Sequence, residues 1–274
     1  MTGGLEPERN FTVSIALTLQ TQIALASVSG VSIGFALGLV GGGAGMLSVP
    51  LLLYFVKVDD PHVAIGTTAA AIALTALVNL VSYARAGLVR WRTGAVFAAA
   101  GVSGAFAGSR WSLHIDGGAV LLLLAAIVAV VAVLMFSRPP AALGAAREPA
   151  PPGSGFATAG AGVAVGGVAG FFGVSGGFLS VPALHFIARV PMLEAVASSL
   201  VSVVVFGGTT AANYAMAGKV SVPLALALVA GGIVGGQLGM RSAKAMAVKG
   251  PALRRIFAAM LLAIAAYIAY RSIG

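Results

Sequence analysis

The chain has 274 residues, 59% of them apolar and 8% charged, with 16 basic and 7 acidic side chains and a formal net charge of +9. Soluble domains run near about 45–50% apolar and about 25% charged, so these few charges cannot cover a water-facing surface, and most of the chain is expected to face hydrocarbon. A mean hydropathy of +1.03 excludes disorder, 38 glycines without a Gly-X-Y period exclude collagen, and the absence of cysteine excludes disulfides and thiolate metal sites.

Met1 to Asn10 carry Glu6, Glu8 and Arg9 rather than a basic leader, and no A-x-A site follows, so no removable signal peptide is expected. Long apolar runs then cover Phe11–Val40, Val63–Ala84, Gly94–Gly108 and Ala119–Phe136. Residues 137–155 read SRPPAALGAAREPAPPGSG, a polar, proline-rich linker outside the bilayer. Four more runs cover Phe156–Phe172, Ala195–Met216, Val220–Gly239 and Ala252–Tyr270. None alternates as a barrel strand must, so the chain is expected to be an all-α, polytopic integral membrane protein. Leu47–Val56 and Leu179–Ala188 hold only about ten residues each, enough at 1.5 Å per residue to reach halfway across.

The sequence repeats itself. A shift of 132 lays Gly41-Gly42-Gly43-Ala44-Gly45-Met46-Leu47-Ser48-Val49-Pro50 on Gly173-Val174-Ser175-Gly176-Gly177-Phe178-Leu179-Ser180-Val181-Pro182. A shift of 131 then lays Thr67-Thr68 on Ser198-Ser199, Tyr83 on Tyr214, Gly87 on Gly218 and Arg110 on Arg241. Glycine, proline, tyrosine and arginine do not fall into one register by chance. The chain divides into an N-terminal transmembrane repeat (11–136), the linker (137–155) and a C-terminal repeat (156–271).

Charge orients the copies. Arg85, Arg90 and Arg92 occupy the loop after Val63–Ala84, whereas the equivalent loop of the second copy has Lys219 alone. The next loop of the second copy is the rich one, with Arg241, Lys244, Lys249, Arg254 and Arg255. Basic loops stay cytoplasmic, so the repeats are expected to be inverted, each with three crossings and a leading hairpin broken at its glycine-rich tip. Both termini then come out periplasmic. Eight full crossings with parallel repeats are the competing count. The basic residues form no stripe interleaved with aromatics, so no nucleic-acid partner is expected.

The candidate site follows from the broken tips. Irregular backbone at membrane depth survives only inside protein or facing a watery cavity. Ser48 and Ser180 suit an N-cap, and Pro50 and Pro182 the first turn. Each short helix would then aim free N–H groups and a positive dipole end inward, as an anion site requires. That places Gly43, Ala44 and Gly45 of one tip, and Ser175, Gly176 and Gly177 of the other, against the substrate. No strand precedes these glycines and no G-K-[ST] follows, so they are not a nucleotide loop. Gly101, Gly104 and Gly108 are read as packing glycines.

The repeated hydroxyls Thr67, Thr68, Ser198 and Ser199 either return to a backbone carbonyl or touch substrate. Asn79, Asn213 and Gln237 either donate to an anion or bridge helices. Arg110 and Arg241 snorkel or attract anions at a gate. His185 is a packing histidine or a proton carrier. All seven acids fall in tails and loops, so no intramembrane relay, no metal site, no cofactor and no enzyme chemistry are expected.

The duplicated glycine-rich turn ending in Val-Pro, followed by small hydroxyls, resembles the sulfite exporter TauE/SafE family over roughly Gly30 to Ile268. Members of that family usually show three consecutive glycines where this chain has Gly43-Ala44-Gly45 and Ser175-Gly176-Gly177. The resemblance implies transport of sulfite, thiosulfate or an organosulfonate such as sulfoacetate across a bacterial cytoplasmic membrane. A membrane potential drives an anion outward by about 2.3 kcal/mol per charge per 100 mV. Export then needs no coupling ion. An importer or carrier of another small anion is the alternative, and a non-transport membrane scaffold the more distant one.

Overall fold

Alanine- and leucine-rich runs become helices throughout the described residues. The computed structural model describes residues 6–41, 45–112, 130, 154–172, 177–247 and 259. Helix α1 covers Glu6–Val40, α2 covers Gly45–Pro50 and continues as a π-helix over Leu51–Phe55, α3 covers Pro61–Arg85 and α4 covers Trp91–Ser112. Beyond the linker come α5 (Ser154–Phe172), α6 (Gly177–Phe186), α7 (Met192–Met216) and α8 (Val222–Ala247). α1 begins five residues earlier than its apolar run, and α5 takes in the last two linker residues, Ser154 and Gly155. The expected crossings at 119–136 and 252–270 and the rest of the linker lie outside the described residues, apart from helical Val130 and Ala259.

Five of these helices are long and apolar enough to cross a membrane: α1 from Gln20, α3, α5 from Gly155, α7, and α8 to Met246. Exposed Leu74, Leu77 and Val81 on α3 and Leu226, Val234 and Leu238 on α8 are the surface that hydrocarbon would cover. α4 is more polar, but the chain's two tryptophans sit near its ends, Trp91 55% and Trp111 69% exposed. Twenty helical residues separate them by about 30 Å, a length comparable to the thickness of a hydrocarbon core.

Turn chemistry ends the helices in matching ways. Gly87 and Gly218 take positive φ, 68° and 69°, just past α3 and α7. There Leu88 N–H donates to the Tyr83 carbonyl (3.2 Å) and Lys219 N–H to the Tyr214 carbonyl (2.8 Å), closing the free carbonyls of both helices. Lys57 and Arg189, which follow the π-helix and α6, are the two non-glycine residues with positive φ among those described.

Glycine contacts give the helix directions. A Cβ on Gly34 would stand 2.1 Å from the Gly232 carbonyl oxygen, and one on Gly38 2.1 Å from that of Gly236. Numbers rise together, so α1 and α8 are parallel and close. α4 and α5 are parallel in the same way, with Gly166 on Gly101 and Gly170 on Ala105, each at 2.1 Å. Such small-residue seams let backbones meet where lipid offers no hydrophobic drive between helices. α3 and α7 instead run antiparallel, since His62 at the start of α3 packs against Tyr214 near the end of α7. α3 also packs parallel to α8, through Thr75 on Gly232 and Asn79 on Gly236. α7 packs parallel to α4, through Val201 on Gly94 and Phe206 on Gly101.

These directions sort the charges. Arg85, Arg90, Arg92, Arg189, Arg241 and Lys244, with Glu194, gather at the end where α3 and α8 finish and α7 begins. The opposite end holds Lys57, Arg110 and Lys219 with Asp59 and Asp60. Each end is latched between the halves, Arg90 to Glu194 at the basic end and Lys219 Nζ to Asp60 Oδ2 at 2.7 Å at the other.

The Lys219 hydrogen bond, more than the His62 N–H, holds the Asp60 carboxyl below its ordinary value of 3.8. A depressed carboxyl stabilises the fold above its unfolded pKa and loses that contribution as pH falls through the lower folded value. The pair is more than a third exposed, so Asp60→Asn is expected to cost no more than about 1 kcal/mol at neutral pH. Thermal midpoints of parent and variant in detergent should converge when the comparison is repeated below that range. A gap that persisted there would remove the ion pair as its cause.

Candidate functional site

The two short helices decide the site. α2 begins at Gly45 and α6 at Gly177, so Ser48 and Ser180 are fourth residues and not N-caps, which corrects the expectation drawn from Ser-Val-Pro. Ser48 Oγ donates back to the Gly45 carbonyl. Pro50 and Pro182 therefore fall inside the helices, beyond the first turn. A proline there has no N–H for the carbonyl four residues back and crowds it. After Pro50 the hydrogen-bond ladder widens into the π-helix of Leu51–Phe55.

The two arms meet, α2 touching α6. Gly41, with φ of +71°, ends the first half's leading helix against the second half: a Cβ there would lie 2.7 Å from Ser199 Oγ and 3.3 Å from Val181 Cγ2. Gly45 and Gly177 are buried at the starts of the arms. Gly43, Ala44, Ser175 and Gly176 lie outside the described residues. Ser48 and Thr68 line one cavity with Gly30, Ile33, Thr75 and Gly232, of about 10 Å³, room for a single water.

In the second half Ser202 Oγ lies 3.0 Å from Ser180 Oγ and donates to the Ser199 carbonyl at 2.7 Å. Thr68 Oγ1 donates to the Ala64 carbonyl (2.8 Å) and Ser199 Oγ to the Val196 carbonyl (2.8 Å). With their protons so engaged, these hydroxyls present lone pairs. The donors left for an anion are backbone N–H groups at the helix starts, or the same hydroxyls once rotated.

The neighbouring hydroxyls are spent elsewhere. Thr67 Oγ1 accepts from Ser221 N–H (2.9 Å) and Ser198 Oγ from Arg90 N–H (2.8 Å), each tying the chain just before the fourth helix of the other half. Asn213 Nδ2 donates to Ser109 Oγ at 2.6 Å, bridging α7 to α4, and Gln237 Nε2 donates to Ser82 Oγ at 2.8 Å, bridging α8 to α3. His185 Nδ1 meets the Val190 carbonyl at 2.8 Å and closes the exit of α6. Arg110 is exposed over the Phe106 ring at 5.2 Å, and Arg241 is exposed too. Asn79 is fully buried with neither amide atom partnered. Among the described residues no group of histidine, aspartate or glutamate could hold a metal.

Three contributors were missed from sequence. Ser202 and Thr75 lie on the helical faces of Ser199 and Thr68, at spacings of three and seven, a stripe the periodicity offers. Thr210 falls 131 residues after Asn79. Its Oγ1 is likewise buried and unpartnered.

A bundle of membrane-length helices with two short, proline-containing helices meeting inside it, beside buried hydroxyls, is the architecture of a polytopic membrane transporter. Residues 26–268 match the model of the family described as "Sulfite exporter TauE/SafE", and the chain belongs to that family. It is 40% identical to a "Probable membrane transporter protein" of Xylella fastidiosa strain Temecula1 over 256 residues, covering 93% of this chain and 98% of that one. It is also 27% identical to the "Probable membrane transporter protein YunE" of Bacillus subtilis strain 168 over 242 residues, 81% of this chain and 89% of that one. No solved structure matches it.

Proposed function

We propose that the protein exports small sulfur-containing anions (sulfite, thiosulfate or an organosulfonate such as sulfoacetate) across the bacterial cytoplasmic membrane, binding them where the two broken arms meet. The observation that carries this reading is the meeting of α2 and α6 inside the bundle, with Ser48, Thr68, Ser180 and Ser199 all fully buried beside them. Neutral donors and two helix starts suit an oxyanion, and a fixed cation there would hold it too tightly to release. Within this reading Thr67 and Ser198 join the halves, while Thr68 and Ser199 face the substrate. Gly45 and Gly177 bring backbone N–H groups to it, continued by the tips at Gly43, Ala44, Ser175 and Gly176. Arg241 draws anions to the basic end, and Arg110 faces the opposite solution.

The halves are read as inverted repeats. The ends of α1 and α5 stand 132 residues apart, and the starts of α3 and α7, and of α4 and α8, 131 apart. The corresponding helices α3 and α7 run antiparallel. With the basic end cytoplasmic, α1 starts on the outer side. Export follows from the potential and from the absence of a carboxylate within any described helix past its first turn.

Purified protein in proteoliposomes should move one or more of sulfite, thiosulfate and sulfoacetate down an imposed potential, at least tenfold faster than acetate or lactate. Preference for a carboxylate removes the sulfur assignment. A strict need for a proton or sodium gradient removes facilitated export.

A further inference from the structure

Two rows of buried and part-buried polar side chains lead from the site in opposite directions. The first runs between α3 and α8. Thr68 and Thr75 line the cavity beside Ser48, and the next turns of the same α3 face bring Asn79 against Gly236 and then Ser82, bonded to Gln237. The second runs between α7 and α4. From Ser199 and Ser202 it passes Phe206 against Gly101, then Thr210, then Asn213 bonded to Ser109. Thr68, Thr75, Asn79 and Ser82 stand 131 residues before Ser199, Phe206, Thr210 and Asn213. Because α3 and α7 are antiparallel, the first row leads to the basic end and the second to the other end.

In each row one polar side chain has no hydrogen-bond partner. Asn79 Oδ1 and Nδ2 and Thr210 Oγ1 are buried and unbonded, and both residues are 0% exposed. An apolar residue of similar shape would relieve the cost of an unsatisfied polar group. Two such groups at equivalent positions call for a partner that comes and goes.

We propose that Asn79 and Thr210 are substrate contacts on two half-pathways, Asn79 between the hairpin site and the basic face and Thr210 between that site and the opposite face. The partner is the passing anion with its hydration water, which takes hydrogen bonds from the Asn79 amide and the Thr210 hydroxyl. The inference rests on the transporter reading above. Thr75 borders a water-sized cavity on the first route, whereas the equivalent Phe206 packs against Gly101 on the second.

The chain contains no cysteine, so single Asn79→Cys and Thr210→Cys variants report without background. In vesicles of known orientation, a membrane-impermeant maleimide should modify Asn79→Cys from the face bearing Arg85 and Arg241, and Thr210→Cys from the opposite face. Modification of neither, or of both from one side, overturns the proposal. Flux is the second readout, with Asn79→Leu and Thr210→Val expected to lose at least tenfold while their thermal midpoints stay at or above the parent's. Flux within twofold of the parent overturns it. So does a midpoint fallen by many degrees in both, because each side chain would then have a structural partner. A parent that moves no sulfur anion defeats the sulfur-anion reading instead, and the sidedness of labelling still decides the pathways.

Discussion

Replacing Gly166 with alanine should lower the thermal midpoint sharply, while Gly160→Ala, six residues earlier in the same helix, should leave it unchanged or raise it. A Cβ at Gly166 would stand 2.1 Å from the Gly101 carbonyl oxygen, whereas nothing lies within 4 Å of one at Gly160. The intrinsic helix gain from glycine to alanine, about 1 kcal/mol, is common to both, so their difference isolates the contact. The obstacle is backbone, which no rotamer change relieves, so α4 and α5 must part. Gly104, Gly108, Gly162 and Gly170 belong to the same seam, each with backbone within 2.3 Å of a Cβ. Parting at one point therefore loosens all of it. Overpacking of this kind costs about 3 kcal/mol or more, at the upper end of single substitutions. Thermal scans in one detergent at one scan rate make the comparison, and Gly34→Ala should repeat the result in the α1–α8 seam. Equal midpoints for Gly160→Ala and Gly166→Ala would show that this seam is not what holds the helices together.

Five of the expected crossings were legible because their composition is extreme, and some of their ends are punctuated: Pro61 opens α3, and Gly87 and Gly218 close α3 and α7. The short arms were legible as short, but not where they begin. The pattern Ser-Val-Pro fits an N-cap before a proline in the first turn, and only the coordinates place Gly45 to Leu47 already in helix. The roles within each hydroxyl pair were not legible either. Thr67 and Thr68 differ by about 100° around α3, which sends one to the Ser221 N–H of the other half and the other to its own hairpin. Sequence gives the angle between them, but which of the two faces the partner depends on how the halves dock. Thr210 escaped notice because the register that exposes it matches an asparagine to a threonine. Reading a repeat by function at each position, and not by identity, would have found it.

Ser48 offers the sharpest test of where the anion binds. Ser48→Leu should reduce transport at least a hundredfold and leave a folded, membrane-inserted protein. The side chain is fully buried and borders the cavity shared with Thr68 and Thr75. Leucine carries two more side-chain heavy atoms than serine, and a cavity this small holds about one water, so roughly one added carbon has no space waiting for it. Overpacking then costs about 1–3 kcal/mol, within what a many-helix bundle tolerates, because part of the added volume enters space already present. For transport the same atoms fill the cavity beside Thr68 and Thr75 and shield the N–H groups at the start of α2. Ser48→Ala separates blocking from chemistry. It removes a hydroxyl whose hydrogen bond goes to Gly45 within its own helix turn, at a stability cost of about 1 kcal/mol. If Ser48 also touches the anion through a rotated hydroxyl, Ser48→Ala should raise the concentration for half-maximal flux several-fold, with the maximal rate kept. If the backbone donors do all the binding, that concentration should stay as in the parent. A Ser48→Leu variant that folds and transports at the parental rate would place the anion elsewhere, and the meeting of the two arms would then be architecture alone.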